Sequence, residues 1–175
     1  MLNAADASHA NNPDRRSTIG ILFRLFGGPI FWKLVKQSTV ATSTIEAKLL
    51  ALSIGSKELL ALERLIHQIQ LKIPGDATHT MTCDNVQTVR LVRDESPKVS
   101  TRLRHVDIQQ HWLREAYQLG NLKLHWVPSH EMAADGLTKT LPPQKHSEWV
   151  QDVLNMRDIS DKVAQLGPRK DREDD

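Results

Sequence analysis

Thr18 to Gln37 reads TIGILFRLFGGPIFWKLVKQ, and this stretch decides the fold class. Thr18 to Phe26 is rich in β-branched and aromatic residues, Gly27-Gly28 is a turn signal, and Pro29 to Gln37 returns, so a β-hairpin is expected. Upstream, Met1 to Ala7 offers one more strand. Only five residues precede Asp6, so this strand is expected to be short and its end to fray. Downstream, Leu49, Leu50, Leu59, Leu62, Leu65, Ile66 and Ile69 recur at spacings of three and four, predicting a long helix over about 46–71. Gly55 weakens that pattern without ending it.

The rest of the chain alternates between the two kinds of element. Thr78 to Cys83 (THTMTC) predicts a strand, Val86 to Arg93 a short helix, and Leu103 to Leu119 a second long helix closed by Gly120. Asn121 to Val127 (NLKLHWV) alternates as a strand, with Leu122, Leu124 and Trp126 on one face and Lys123 and His125 on the other. A short helix near Met132 to Lys139 follows, then Pro142-Pro143 opens an amphipathic helix carrying Trp149, Val150, Val153 and Leu154. The order is three strands, helix, strand, helices, strand, helix. It implies an α/β domain in which an antiparallel hairpin precedes strands joined by helical crossovers. The expected organisation is a domain over 1–141, a helical extension over 142–166 and a charged, disordered tail over 167–175.

Composition narrows the classes of function. The chain has 175 residues, 39% hydrophobic and 25% charged, with a formal charge of +2, which fits one soluble globular domain. Cys83 is the only cysteine, so no disulfide forms within the chain and an intracellular setting, cytoplasm or nucleus, is expected. No apolar run approaches the roughly 20 residues of a membrane span, and Met1 to Asn12 lack the pattern of a signal peptide. No membrane partner is expected, and oligomeric state is open.

Four carboxylates fall where α/β folds build sites. Asp6 ends the first candidate strand, Asp84 follows the fourth, Glu46 opens the long helix, and Asp135 sits in the helix after the last strand. Each also has an ordinary reading. Ser43 to Glu46 matches a capping box, Asp84 suits a helix N-cap, Asp135-Gly136 suits a turn, and Asp6 suits a solvated position near a frayed terminus.

Six segments together carry a resemblance. DASHANNPDRRST (from Asp6), GGPIFWK, TSTIEAKLLALS, TCDNVQTVRLV, RLRHVDIQQHWLRE and WVPSHEMAADGLTKTLP follow one another as in the ribonuclease H domains of copia-type retrotransposons. The resemblance runs from the first strand to Pro142. It implies a ribonuclease H-like fold, a five-stranded mixed sheet flanked by helices, and a metal-dependent endonuclease that cuts the RNA strand of RNA–DNA hybrids. It further implies that Asp6, Glu46, Asp84 and Asp135 are catalytic and bind two Mg²⁺ ions, with Mn²⁺ a substitute. WVPSH resembles a strand-end motif of cellular ribonucleases H, making His130 an auxiliary in proton transfer or product release; a surface histidine is the alternative. Ser8, His9 and Lys48 depart from the family pattern, Lys48 standing where a second acid is common.

The chemistry explains the residue types. Hydrolysing a phosphodiester requires an activated water and relief of negative charge on phosphate, which two divalent ions supply and clustered carboxylates anchor. Hybrid binding is expected to rest on phosphate contacts and groove shape. Lys98, Arg102, Arg104 and His105 in KVSTRLRH, the pair Arg15-Arg16, and Asn85 beside Asp84 are the candidate nucleic-acid contacts, with a solvated face the alternative for the basic run. Trp32, Trp112, Trp126 and Trp149 are expected in the core, and Cys83 as a buried small hydrophobe. A reverse transcriptase is a further possible partner. The rival functions are an impaired module of the same fold that binds hybrid or a reverse transcriptase, and a transposase or integrase core. The latter class uses three acids, and the E-A and T-K motifs argue against it.

Overall fold

The computed structural model describes residues 2–73, 80–93 and 104–155. Its elements are β1 (Leu2–Ser8), β2 (Thr18–Leu25), β3 (Gly28–Lys36), α1 (Thr44–Gln68), β4 (Thr80–Cys83), α2 (Val86–Arg93), α3 (Arg104–Gln118), β5 (Lys123–Trp126), α4 (Asp135–Thr138) and α5 (Pro143–Val153). A single 3₁₀ turn, Ser129–Glu131, precedes α4. The five strands form one mixed sheet in the order β3-β2-β1-β4-β5. β1 and β3 pair antiparallel to β2, while β1–β4 and β4–β5 are parallel. The expected hairpin and helical crossovers are all present. The segment over 167–175 and Thr78 lie outside the described residues. Among the described residues no helix is long and apolar enough to cross a membrane.

Alternation along β1 and β2 gives the sheet two apolar faces, because successive side chains point to opposite sides. Ala5, Ala7, Ile19, Ile21 and Phe23 meet α1 and α3 in the main core, with Met81, Cys83, Leu113 and Leu124. Ala4 and Leu22, on the other face, pack with Met132, Ala133, Ala134 and Val153, and with the half-buried Trp149 and Leu137. β1 is therefore covered on both faces and flanked by strands on both sides. The expected fraying does not occur: all seven residues of β1 are paired to β2, from Leu2 with Arg24 to Ser8 with Thr18.

Two of the four tryptophans correct the expectation of core packing. Trp32 is 65% exposed and Trp126 48%. Trp32 pairs with Leu22 and lies on the edge strand β3 with Ile30 and Leu34, on the sheet face that carries α4 and α5 but exposed at its edge. Trp126 ends the opposite edge strand, its indole donating to the Asp84 carbonyl at 3.1 Å. Trp112 packs against the main core beneath Lys57, whose Nζ is 4.9 Å from the ring centroid. Leu65 and Ile69 are also exposed, because α1 outruns the sheet it covers.

α5 is fastened by Trp149, which donates from Nε1 to the Ala133 carbonyl at 2.8 Å. Its ring lies flat against Gly136, where a Cβ would come within 2.2 Å of the indole. Rigid ring atoms cannot give way as a flexible chain end can. Gly136→Ala is expected to cost about 1–3 kcal/mol through overpacking, and to red-shift tryptophan emission as Trp149 is displaced. Chemical denaturation followed by fluorescence measures both; unchanged stability and emission would contradict this packing.

Candidate metal and nucleic-acid site

Strand pairing builds the site. Ala4 in β1 is in parallel register with Thr82 in β4, so two residues further on Asp6 and Asp84 come side by side. Asp6 lies inside the strand, paired with Gly20 of β2, and is 0% exposed, which corrects both its expected place at a strand end and its reading as a solvated residue. Gly20 lets α4 settle onto this point of the sheet, since a Cβ there would come within 2.7 Å of Thr138 Cγ2 and 3.1 Å of the Ala134 carbonyl. Thr138 then donates to Asp6 Oδ2 at 2.5 Å, and Asp135, one turn earlier, joins the two other carboxylates. Ligand oxygens of Asp6, Asp84 and Asp135 all lie within 4.8 Å of one another.

The side chain that α1 sends into this cluster is Lys48. Its Nζ donates to Asp6 Oδ1 and to Asp84 Oδ1, each at 2.5 Å. Glu46 does not join the three aspartates. Its Oε2 accepts from the Thr42 backbone N–H at 2.7 Å and the Thr42 hydroxyl at 2.6 Å, while its own N–H donates to the Ser43 hydroxyl at 3.2 Å. Two residues on an α-helix are about 200° apart, so positions 46 and 48 face nearly opposite ways. Position 48 shares its face with Leu52, Gly55 and Leu59, all buried toward the sheet.

Asp84 is further held by the Ser129 hydroxyl, which donates to Oδ2 at 3.1 Å. It does not cap α2, as one reading allowed. Asn85 does so, its Oδ1 accepting from the Thr88 N–H at 2.8 Å and hydroxyl at 3.1 Å. Asp135 pairs with Lys139 at 2.6 Å through Oδ2, while its Oδ1 is buried with no hydrogen-bond partner. His130 lies in the 3₁₀ turn with its side chain 79% exposed and its Nε2 3.5 Å from Glu131. Arg15, exposed, and Arg16, 3.6 Å from Asp14, sit in the loop that follows β1. Lys98 and Arg102 lie outside the described residues; Arg104 and His105 open α3.

Electrostatics follow from this geometry. Burial pushes the Asp6 carboxyl up, but the Lys48 ammonium and the Thr138 hydroxyl outweigh it and hold the group below the usual aspartate range. Burial likewise opposes the charge on Lys48, and Asp6 and Asp84 overcome it, so the ammonium is held more firmly than an exposed one. Asp135 goes the other way, raised to about 6 by burial and by the Asp6 charge, against the pull of Lys139. Burial raises the Cys83 thiol to about 11, so it is inert as a nucleophile. Three carboxylates of hard oxygen suit a divalent cation, and the unpartnered Asp135 Oδ1 is a donor atom for one.

The fold and the chain's relatives point the same way. The structure is similar to that of the ribonuclease H1 LC11, isolated from compost by a metagenomic approach, with a TM-score of 0.55 and 16% identity over 78% of this chain and 90% of that one. It is also similar to the same enzyme in complex with an RNA/DNA hybrid, with a TM-score of 0.51 and 17% identity over 78% of this chain and 91% of that one. The architecture is thus that of the ribonucleases H: a five-stranded mixed sheet flanked by helices. No family model matches the chain. In sequence it is 33% identical over 152 residues to the retrovirus-related Pol polyprotein of transposon TNT 1-94 from Nicotiana tabacum, covering 86% of this chain. It is 30% identical over 138 residues to that of transposon RE1 from Arabidopsis thaliana, and 31% over 144 residues to a Ty1 Gag-Pol polyprotein of Saccharomyces cerevisiae. The chain spans about a tenth of the length of these relatives, 11%, 9% and 8% respectively.

The value of Asp135 gives a stability test. Its folded-state pKa lies above the ordinary 3.8, so the native state holds this proton more tightly than the unfolded chain does. Its contribution is most favourable below about pH 4 and is lost as pH rises to about 6, a cost on the order of 1–2 kcal/mol after solvent screening. In EDTA, Asp135→Asn is therefore expected to melt above wild type at pH 7.5 and to lose that advantage at pH 4. Equal offsets at both pH values would contradict the raised pKa.

Proposed function

We propose that this chain is a ribonuclease H domain of the copia-type retrotransposon Pol lineage, acting on RNA–DNA hybrids by hydrolysing the RNA strand. The observation that carries the reading is the convergence of Asp6, Asp84 and Asp135 from β1, the end of β4 and α4 onto one point of a ribonuclease H sheet. Asp6, Asp84 and Asp135 are the proposed ligands of divalent metal, two Mg²⁺ ions in the full reading. Glu46 is left out of the set, since its carboxylate serves the start of α1. Bound metal would supply an activated water and offset charge on the phosphate. The chain's own part is orientation: Thr138 fixes Asp6, Ser129 fixes Asp84, and Asp135 is ionised at neutral pH with one oxygen free of protein partners.

Hybrid is the proposed substrate and a reverse transcriptase domain the proposed neighbour, supported by the hybrid-bound ribonuclease H1 and the Pol polyproteins to which the chain is similar. Arg15 and Arg16 lie in the loop between β1 and β2, at the end of the sheet where Asp6 and Asp84 meet, and are proposed to contact phosphate. The alternative, a module that binds hybrid with impaired catalysis, is favoured by one specific feature, the Lys48 ammonium inside the carboxylate cluster.

The test is cleavage of a labelled RNA–DNA hybrid in Mg²⁺, beside duplex DNA. Cuts confined to the RNA strand, abolished by EDTA and by Asp84→Asn, are the expected result. Hybrid affinity is expected to fall steeply between about 50 and 200 mM salt. Salt-sensitive binding with no cleavage by wild type, in Mg²⁺ or Mn²⁺, would select the binding module instead.

A further inference from the structure

Among the described residues, Lys48 is the one buried cation that touches two members of the cluster. Its side chain is 8% exposed, that of Asp6 0% and that of Asp84 6%, so the three charges share a space almost closed to water. An ammonium 2.5 Å from one oxygen of each carboxylate stands between them and engages oxygens that a divalent ion would need as ligands. The helix dictates this placement. Position 48 lies on the sheet-facing stripe with Leu52 and Leu59, and among the described residues the cluster's other paired lysine, Lys139, bonds to Asp135.

We propose that Lys48 is the resident cation of this site: its ammonium fills the position between Asp6 and Asp84 and competes with divalent metal for them. Metal must displace an ion pair that the fold holds in place, so this chain binds divalent ions weakly, and position 48 sets that affinity. The inference rests on the carboxylates being a metal site at all, and the experiment separates the two ideas.

Mn²⁺ alone is titrated into the full chain, as wild type, Lys48→Met and Lys48→Glu, with free ion followed by electron paramagnetic resonance. Methionine keeps an unbranched chain of similar length without charge; glutamate adds a fourth carboxylate. Wild type is expected to bind at least about tenfold more weakly than Lys48→Met, and Lys48→Glu more tightly still. Removing the ammonium leaves carboxylates to repel one another, so each variant is also melted in EDTA and in about 5 mM Mn²⁺. Lys48→Glu is expected to melt below wild type in EDTA and to gain at least about 5 °C more from the ion than wild type does. Equal affinities in all three proteins would overturn the role of Lys48 and leave the metal site standing. No Mn²⁺ binding by any of them, with no melting shift, would overturn both.

Discussion

Three carboxylates within 4.8 Å of one another, one of them fully buried in the central strand of a sheet, repel each other and resist ionisation unless a cation stands among them. Lys48 supplies that cation from within the chain, joining Asp6 and Asp84 through a single ammonium. Much of the architecture around β1 depends on this arrangement. Asp6 occupies a position flanked by Ala5 and Ala7, which face the main core, and only its paired and hydrogen-bonded state makes an aspartate tolerable there. The ion pair also ties α1 to both β1 and β4, so the longest helix is anchored to the parallel half of the sheet by charge as well as by packing.

The opposite face is closed by small contacts that leave no slack. Gly20 admits α4 onto β2, Thr138 reaches Asp6 from there, and Gly136 admits the Trp149 ring from α5. The C-terminal helix is thus linked to the carboxylate cluster through one short helix of four residues, Asp135–Thr138, that holds both an acid of the site and the seat of a tryptophan.

Most of the fold was legible because it rests on period and punctuation. The hairpin is there, turning at Phe26-Gly27, one residue before the expected Gly27-Gly28, and α2 runs over Val86–Arg93 as its sequence implies. What escaped was set by which faces acquire a covering layer. Trp32 and Trp126 look like core residues by type, yet both lie exposed on edge strands. Asp6 looked like a frayed terminus because only five residues precede it, and the pairing with β2 and β4 that holds it is not visible in its local sequence. The site itself was legible in three of its acids and illegible in its phase. Reading Leu52 and Leu59 back along α1 lands on position 48, so helical geometry alone carried the signal that Lys48, and not Glu46, faces the sheet.

Relatedness and chemistry part company at that position. Identity of 33% to a Pol polyprotein segment and a shared sheet speak for the backbone, which positions Asp6, Asp84 and Asp135 wherever the strand register is kept. A sheet of this kind tolerates many side chains at its crevice, and function resides in those it holds. Exchanging an acid for a lysine reverses a charge where the sum of charges decides what binds, yet costs the fold little, because the ammonium satisfies the same carboxylates that a metal would. A protein can therefore keep its architecture, and hold its carboxylates together without metal, whatever its affinity for a divalent ion. Lys48 is the residue at which these two pressures meet.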